Sequence, residues 1–226
     1  SAFGSAGERC MAISVAVCVG KKTAENLKTK LLEETLKLNV GPYTDEKSDF
    51  GPLNNKAHYE KVLGYIDTGE KEGAKLLSDG RNMKLQGYEN GYFVGPTIFE
   101  DVKPDMKIYK EEIFGPVLSM MTTDTYEEAL KLVNDHELGN GAAVFTKSGM
   151  IAKHFTENAK IGMIGVNVPI PVPVAYHSFG GWKRSLFGDH SMHGPEGVRF
   201  YTKLKTATVT WSEDNSGPEF TIPVLS

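Results

Sequence analysis

Residues 117–168 read VLSMMTTDTYEEALKLVNDHELGNGAAVFTKSGMIAKHFTENAKIGMIGVNV, and this stretch decides the fold class. Its apolar runs predict three buried strands, at 117–121, 141–146 and 162–168. Thr125 and Glu128 predict a capping box that begins one helix between the strands, and Ser148 predicts the cap of the next. Strands that alternate with helices through short connections predict a parallel sheet, so an α/β protein is expected. Functional residues are then expected at the carboxyl ends of the strands.

The residues before this stretch extend the same alternation of strands and helices. Further strands are predicted at 13–19, 74–77 and 96–99. One helix is predicted to follow Thr23 as its cap, and a second to begin at Asn54 or Asn55 and end at Gly69 or Gly73. The intervening regions are predicted to form a loop at 39–53 and a long loop or hairpin at 79–96.

Residues 169–200 differ from the rest of the chain, because they hold four prolines and five glycines and show little periodicity. A stretch of this length without regular structure is usually functional or wraps a partner. Alternating apolar residues then predict a strand at 200–211, FYTKLKTATVTW. Residues 212–226 are predicted to form a polar tail that needs docking to become ordered.

Composition excludes several classes of function. The chain has 226 residues, 40% hydrophobic and 24% charged, with a net charge of −4, which is an ordinary globular composition. Without a basic excess or an apolar run of about 18 residues, neither nucleic acid nor a membrane is an expected partner. The two cysteines predict no disulfide framework and no metal site, and they favour a reducing compartment. Because the chain opens at Ser1 within a segment typical of ordered structure, a piece of a longer protein is expected.

GSAGERCMA, residues 4–12, contains one of the two cysteines. A thiol attacks as thiolate, a form that a positive charge such as Arg9 favours, and small neighbours leave backbone N–H groups free for an oxyanion. The alternative, which the residues alone favour, is that Cys10 is a buried structural cysteine. Arg9 is either a fork-shaped donor to a substrate carboxylate or, favoured on the residues alone, a solvated charge beside Glu8. Cys18 lies in a predicted strand and is expected in the core.

Two further segments are candidates for ligand binding. YKEEIFGPV (109–117) places Glu111 and Glu112 before a strand, where a carboxylate can accept hydrogen bonds from sugar hydroxyls; a solvated turn is the favoured alternative. SFGG (178–181) has glycines that permit close backbone approach, and Phe179 can line a pocket, anchor the loop, or do both. Neither kind of phosphate-binding glycine loop is present in the sequence.

Six segments occur in the order in which the aldehyde dehydrogenase superfamily has them: GERC, GPLNNKAHYEKVLGYIDTGEKEGAKLL, GYFVGPTIF, EEIFGP, FGGWKRS and YTKLK. The chain resembles this superfamily over nearly its whole length. GERCMA, NVPIPVP and SFGGWKRSLFGD are similar to the methylmalonate-semialdehyde dehydrogenase branch. The resemblance implies a parallel-sheet catalytic domain of the aldehyde dehydrogenase fold, followed by a C-terminal oligomerisation strand.

The resemblance also implies a reaction and a set of site residues. Members of that branch oxidise malonate and methylmalonate semialdehydes with NAD, and they pass the acyl group to coenzyme A with loss of carbon dioxide. Cys10 matches the nucleophile, and Arg9 matches the arginine that holds the substrate carboxylate. Glu112 matches the carboxylate that binds the nicotinamide ribose. Phe114 is implied to pack beside the nicotinamide and Phe179 beside the substrate.

The domain organisation implied by the resemblance is a catalytic domain at 1–200 with an oligomerisation strand and tail at 201–226. Most of the NAD site would then lie on an N-terminal domain outside these residues. We expect a homotetramer, located in a bacterial cytoplasm or a mitochondrial matrix, and no NAD-dependent turnover by the isolated chain. Two alternatives remain open: a hydrolytic aldehyde dehydrogenase for another substrate, and a non-catalytic module that keeps the fold for oligomerisation.

Overall fold

A four-stranded sheet lies at the centre of the fold in the computed structural model, which describes residues 1–209 and 211. Its strands in chain order are β1 (Val15–Val19), β2 (Lys75–Ser78), β3 (Thr97–Glu100) and β4 (Val117–Thr123). The order within the sheet is β1, β4, β3, β2. β4 runs parallel to both β1 and β3, whereas β2 pairs antiparallel with β3 at the edge. The strands predicted before residue 117 are thereby confirmed, and residues 79–96 form the predicted long loop, which connects β2 to β3.

Six α-helices accompany the strands within residues 1–209 and 211. They are α1 (Lys21–Thr35), α2 (Lys56–Lys71), α3 (Lys107–Lys110), α4 (Tyr126–Asp135), α5 (Gly149–Asn158) and α6 (Pro195–Tyr201). α4 begins with the predicted capping box, in which Thr125 and Glu128 each accept a backbone N–H of the other. Ser148 caps α5, and Asn55 caps α2, each through a side-chain oxygen that accepts a backbone N–H three residues later.

The first helix begins earlier than the sequence predicts. Thr23 lies inside α1, and the N-cap is Gly20. Gly20 has a φ of 84°, a conformation that glycine adopts at little cost, and this lets the chain turn from β1 directly into the helix. The Gly20 N–H also donates to the carbonyl oxygen of Thr123 at 2.7 Å, so the turn is fixed to the end of β4.

The α/β class and its parallel strand pairs are confirmed, but the three strands predicted over 117–168 do not share one sheet. The chain continues through β5 (Leu138–Gly139), β6 (Gly141–Val144), β7 (Met163–Val166) and β8 (Trp182–Lys183). β6 and β7 form a separate parallel pair across α5, and β5 pairs antiparallel with β8. Both edges of β4 are occupied, by β1 and by β3, so no row of backbone groups is left on β4 to receive β6.

The four-stranded sheet and the β6–β7 pair pack against separate apolar clusters. Phe99, Ile66 and Val62 are fully buried between α2 and the four-stranded sheet, within the larger cluster. Gly69 lies inside α2 rather than at its end, and a Cβ there would come within 3.0 Å of side-chain atoms of Phe99 and Ile108. A smaller cluster, of Leu130, Phe155, Ala159 and Ile161, packs beneath β6 and β7.

Among the residues of 200–211 that the structure describes, the predicted strand is not formed. Phe200 and Tyr201 end α6, and residues 202–209 have no regular secondary structure. A strand needs a hydrogen-bonded neighbour, and the structure places none beside these residues. A strand that pairs with another copy stays a prediction, and the predicted tail at 212–226 lies outside the described residues. Among residues 1–209 and 211, no helix is long and apolar enough to cross a bilayer.

Candidate active site

Cys10 stands at the corner of a tight turn. The N–H of Ala12 donates to the carbonyl oxygen of Arg9 at 3.0 Å, which closes a four-residue β-turn around Cys10, hereafter the nucleophile turn. Cys10 is exposed and free, whereas Cys18 is buried in β1, where burial raises the pKa of its thiol. The thiolate is disfavoured at Cys18, which lies in the core. Cys10 is accessible to solvent, so the buried interpretation of Cys10 is wrong.

The small residues before the cysteine are needed by the backbone. Ser5, Ala6 and Gly7 have φ values of 53°, 54° and 72°, so three consecutive residues occupy the left-handed region. Such conformations are costly for residues with side chains and persist where the surrounding structure enforces them. A Cβ on Gly7 would overlap the carbonyl oxygen of Gly115. Gly7, three residues before Cys10, therefore lies directly against the backbone of the EEIFGP segment.

A histidine joins the same two segments at a second point. Nε2 of His58 lies 2.6 Å from the carbonyl oxygen of Phe114 and 3.4 Å from Oε1 of Glu8. Since a carbonyl oxygen only accepts, Nε2 donates to it. Phe114 has a φ of 59°, so its strained backbone is held by this bond. Sequence reasoning missed His58, because only the fold brings the start of α2 to this point.

The two adjacent glutamates have different environments. Glu111 accepts a hydrogen bond from the Tyr65 hydroxyl at 2.6 Å. Burial, as the larger cause, and this bond, as the smaller one, raise the pKa of Tyr65 to about 12. Glu112 is exposed, and its backbone carbonyl accepts from Nζ of Lys61 at 3.3 Å. In the part of the chain that the structure describes, the Glu112 carboxylate has no hydrogen-bond partner. Glu111 therefore has a structural role, and Glu112 presents a carboxylate to solvent.

Arg9 is exposed beside the cysteine. Its Nε donates to Oγ of Ser5 at 2.8 Å, and no ion pair of Arg9 occurs within residues 1–209 and 211. Glu8 lies near His58 instead, so the neighbouring charges of Glu8 and Arg9 do not pair, and Arg9 is a solvated charge in this structure. A guanidinium has five N–H donors, so four of those on Arg9 remain for an anionic ligand.

Asn140, which sequence reasoning also missed, lies between β5 and β6 and contacts the nucleophile turn. Its Nδ2 donates to the carbonyl oxygen of Cys10 at 2.9 Å and to Sδ of Met11 at 3.1 Å. A Cβ on Gly181 would come within 3.1 Å of the Asn140 Cα, so the SFGG segment also approaches this residue. Phe179 is half-buried, and its ring lies 5.5 Å from that of His193. The structure thus brings SFGG to Asn140, with the Phe179 ring packed on His193.

The segment that follows SFGG is anchored to the end of α4. Nζ of Lys183 donates to the carbonyl oxygens of Val133, Asn134 and His136 at 3.1, 3.0 and 2.9 Å. The last carbonyls of a helix lack partners within it, and a lysine satisfies them well. Burial lowers the pKa of Lys183. Among the described residues, no group of three His, Cys, Asp or Glu side chains is arranged to hold a metal ion.

Comparisons with known proteins agree with the described fold and identify its relatives. Residues 1–207 match the model of the aldehyde dehydrogenase family. A malonate-semialdehyde dehydrogenase of Pseudomonas aeruginosa is 52% identical over 100% of this chain and 46% of its own. The mitochondrial, acylating methylmalonate-semialdehyde/malonate-semialdehyde dehydrogenase of Bos taurus is 48% identical over 100% of this chain and 42% of its own.

A solved structure is similar throughout the described fold. It belongs to a Sinorhizobium meliloti protein assigned as a methylmalonate-semialdehyde dehydrogenase and is complexed with NAD. The sequences are 56% identical, the TM-score is 0.90, and the match covers 95% of this chain and 44% of that one. The chain therefore spans less than half the length of the relatives it matches.

Proposed function

Because this chain belongs to the aldehyde dehydrogenase family, we propose that its 226 residues carry the nucleophile of a malonate- and methylmalonate-semialdehyde dehydrogenase. One observation carries the proposal: Cys10 is exposed and free on a turn whose preceding residues lie against the backbone of Gly115. That contact places the candidate nucleophile and the Glu112 segment in one rigid unit. The names of the relatives from Pseudomonas aeruginosa and Bos taurus support the choice of substrate.

In this proposal the Cys10 thiolate attacks the aldehyde carbon. A carbon–sulfur bond forms, and the carbonyl oxygen becomes an oxyanion that the Cys10 backbone N–H stabilises. The four free N–H donors of Arg9 bind the carboxylate at the other end of the semialdehyde. The exposed position of both side chains supports these roles, since a substrate can approach each of them.

The residues present fit part of a dinucleotide site. The unpartnered carboxylate of Glu112 can accept hydrogen bonds from two ribose hydroxyls, which is the donor set that a ribose offers. Phe114, whose carbonyl is held by His58, packs beside the nicotinamide. When bound, NAD accepts the hydride that leaves the Cys10-bound carbon, and a thioester to Cys10 remains. NAD in the Sinorhizobium meliloti relative supports this cofactor.

The acyl group then passes from Cys10 to coenzyme A. The thiol of coenzyme A attacks the thioester carbon, the bond to the Cys10 sulfur breaks, and the proton of the attacking thiol passes to the released Cys10 sulfur. The bond between the substrate carboxylate and the neighbouring carbon breaks to release carbon dioxide, and that carbon takes up a proton from water. The bovine relative is named as acylating, which supports transfer to coenzyme A over transfer to water. In a hydrolytic enzyme, water would release the acid and coenzyme A would have no effect on the products.

We further propose that residues 1–200 act as a catalytic domain and 201–226 as an oligomerisation strand and tail. Leu204, Val209 and Trp211 are exposed in this structure, so the run presents apolar side chains to another copy. A homotetramer in a bacterial cytoplasm or a mitochondrial matrix is consistent with the bacterial and mitochondrial relatives. The isolated 226 residues are expected to lack turnover, since most of the dinucleotide site would lie on a further domain.

The test compares the 226-residue chain with the longest natural chain that carries it. Each is assayed with malonate and methylmalonate semialdehydes and NAD, with and without coenzyme A, and the acyl product is identified by mass. We expect coenzyme A thioesters and carbon dioxide from the longer chain and no NADH from the shorter one. Free acids at an unchanged rate would support the hydrolytic alternative. No turnover of any aldehyde by the longer chain, with Cys10 inert to iodoacetamide, would support the non-catalytic one.

Arg9→Leu tests the carboxylate contact in the longer chain. Losing a charge-assisted contact should raise KM for malonate semialdehyde about tenfold to hundredfold, from roughly 1.5–3 kcal/mol of binding free energy. The KM for propanal, which has no carboxylate, should stay within threefold. Arg199→Leu removes an exposed arginine on α6 and serves as the matched control. An unaltered KM for malonate semialdehyde in Arg9→Leu would rule out this role.

A further inference from the structure

The nucleophile turn has a peptide that can take two orientations. Cys10 and Met11 are its two central residues, because the turn is closed between Arg9 and Ala12. The peptide between the central residues is flipped by about 180° between type I and type II turns, and a type II turn needs a positive φ at its third residue. Met11 is not among the residues of positive φ in the described part of the chain. The Cys10–Met11 peptide is therefore held in the orientation that a type II turn excludes.

Asn140 binds the peptide from outside the turn. Its Nδ2 donates to the Cys10 carbonyl oxygen at 2.9 Å and to Sδ of Met11 at 3.1 Å. Met11 is also fixed at its other end, because its methyl group occupies the space that a Cβ of Gly141 would take. One amide group thus contacts both central residues, and the neighbouring glycine admits the Met11 side chain.

The position of Asn140 is itself fixed by backbone hydrogen bonds at Asn140 and at the residue before it. Asn140 connects β5 to β6, and its carbonyl oxygen accepts the N–H of Met163 at 3.1 Å. The preceding residue, Gly139, donates its N–H to Oγ of Ser185 at 3.0 Å. Asn140 is half-buried, so little freedom remains for its side chain. Asn140 is therefore more constrained than the nucleophile turn, in which Arg9 and Cys10 are exposed.

The Cys10 side chain has no such constraint of its own. Within residues 1–209 and 211, its sulfur takes part in no hydrogen bond, so the direction of its Cα–Cβ bond is set by the backbone alone. The position of the thiol therefore follows the position of the turn, which Asn140 binds at the Cys10 carbonyl oxygen. Displacement of a reacting atom by about 1 Å can lower a rate about 10²-fold.

We infer that Asn140 is a positioning residue for Cys10: its amide holds the Cys10–Met11 peptide in one orientation and thereby fixes the position of the turn that carries the thiol. The inference rests on the proposed function for its consequence in turnover. Asn140 touches neither substrate nor cofactor in this role, and it acts through the backbone of the nucleophile turn.

Asn140→Asp and Asn140→Leu in the longest natural chain test the inference. The aspartate keeps the shape but replaces the N–H donor by an oxygen that repels the Cys10 carbonyl, and the leucine removes the donor. Asn134→Asp is the matched control, because the Nδ2 of Asn134 likewise donates to a backbone carbonyl oxygen, that of Asn158, and not to the nucleophile turn. Asn140→Gln retains a donor on a longer stem. For each variant we would measure Tm, kcat, KM for NAD and the rate of Cys10 alkylation by iodoacetamide, located by peptide mass.

We expect kcat to fall about tenfold to hundredfold in Asn140→Asp and Asn140→Leu, with KM for NAD within threefold. Cys10 alkylation should slow at least fivefold, Asn140→Gln should recover part of both rates, and Asn134→Asp should match the wild type. A stable Asn140→Asp protein with kcat and the alkylation rate both unchanged would overturn the inference. If Asn140→Leu does not fold, Asn140→Asp is sufficient for the test. Wild-type protein without semialdehyde turnover would refute the proposed function, and the alkylation rates would still decide the role of Asn140.

Discussion

Replacing Cys10 with alanine is expected to lower kcat for semialdehyde oxidation by about 10⁴-fold or more in the longest natural chain, since the covalent intermediate cannot form. The fold should be unaffected, because Cys10 is exposed and only its backbone is bound by Asn140. NADH formation gives the rate, and Tm gives the stability.

Cys18→Ala is the matched control for this prediction. Cys18 is 2% exposed in β1, so its truncation should lower stability while leaving kcat within about threefold once the protein is folded. A mass increase by one acyl group, seen with the semialdehyde and NAD in the absence of coenzyme A, should occur in Cys18→Ala and be absent from Cys10→Ala. Acyl label on any other residue, or turnover that survives in Cys10→Ala, would exclude Cys10 as the nucleophile.

Gly7→Ala is expected to destabilise the protein by roughly 2–6 kcal/mol, the sum of two separate effects. One is the φ of 72°, which strains any residue with a side chain, and the other is the overlap of the new Cβ with the Gly115 carbonyl. For a chain of this size, the fall in Tm should be roughly 5 to 20 °C. The contact is between two backbones, so no side-chain rotation can relieve it.

Gly4→Ala provides the comparison for Gly7→Ala. Gly4 lies in the same small-residue run, but a Cβ there meets nothing within 4 Å. Its Tm should stay within a few degrees of the wild type, so the two variants separate a general intolerance of the run from the specific contact with Gly115. Equal Tm values for Gly7→Ala and wild type would mean that the two segments are not packed in this way. The kcat of Gly7→Ala, measured well below its Tm, should also fall, because the nucleophile and the Phe114 segment are displaced from each other.

Local chemistry made much of the secondary structure predictable. The capping box of Thr125 and Glu128 forms between residues three apart, and the Ser148 and Asn55 caps likewise need only their own first turns. Such signals depend on spacing along the chain. Gly20 shows the limit of such signals. The hydroxyl of Thr23 indicated an N-cap at residue 23, whereas the N-cap of α1 is Gly20, three residues earlier.

Long-range contacts were not predictable in the same way. Whether β6 joins β4 depends on which strands already occupy the edges of β4, and hydrophobic periodicity carries no information about that. Glu112, Arg9 and Phe114 entered through motif resemblance, and their roles stay predictions. His58 and Asn140 belong to no motif that signals a site, and their contacts with Phe114 and Cys10 arise only when distant elements meet.

The bond between Asn140 and Cys10 has a consequence for the order of assembly on the ribosome. The two residues are 130 positions apart, and the cysteine leaves the ribosome first. At translation speeds of about 5–20 residues per second, roughly 7 to 26 s pass before the asparagine is added. During that interval the nascent thiol has no fixed direction. The cysteine therefore acquires its bound position only after β1 to β5 have been synthesised.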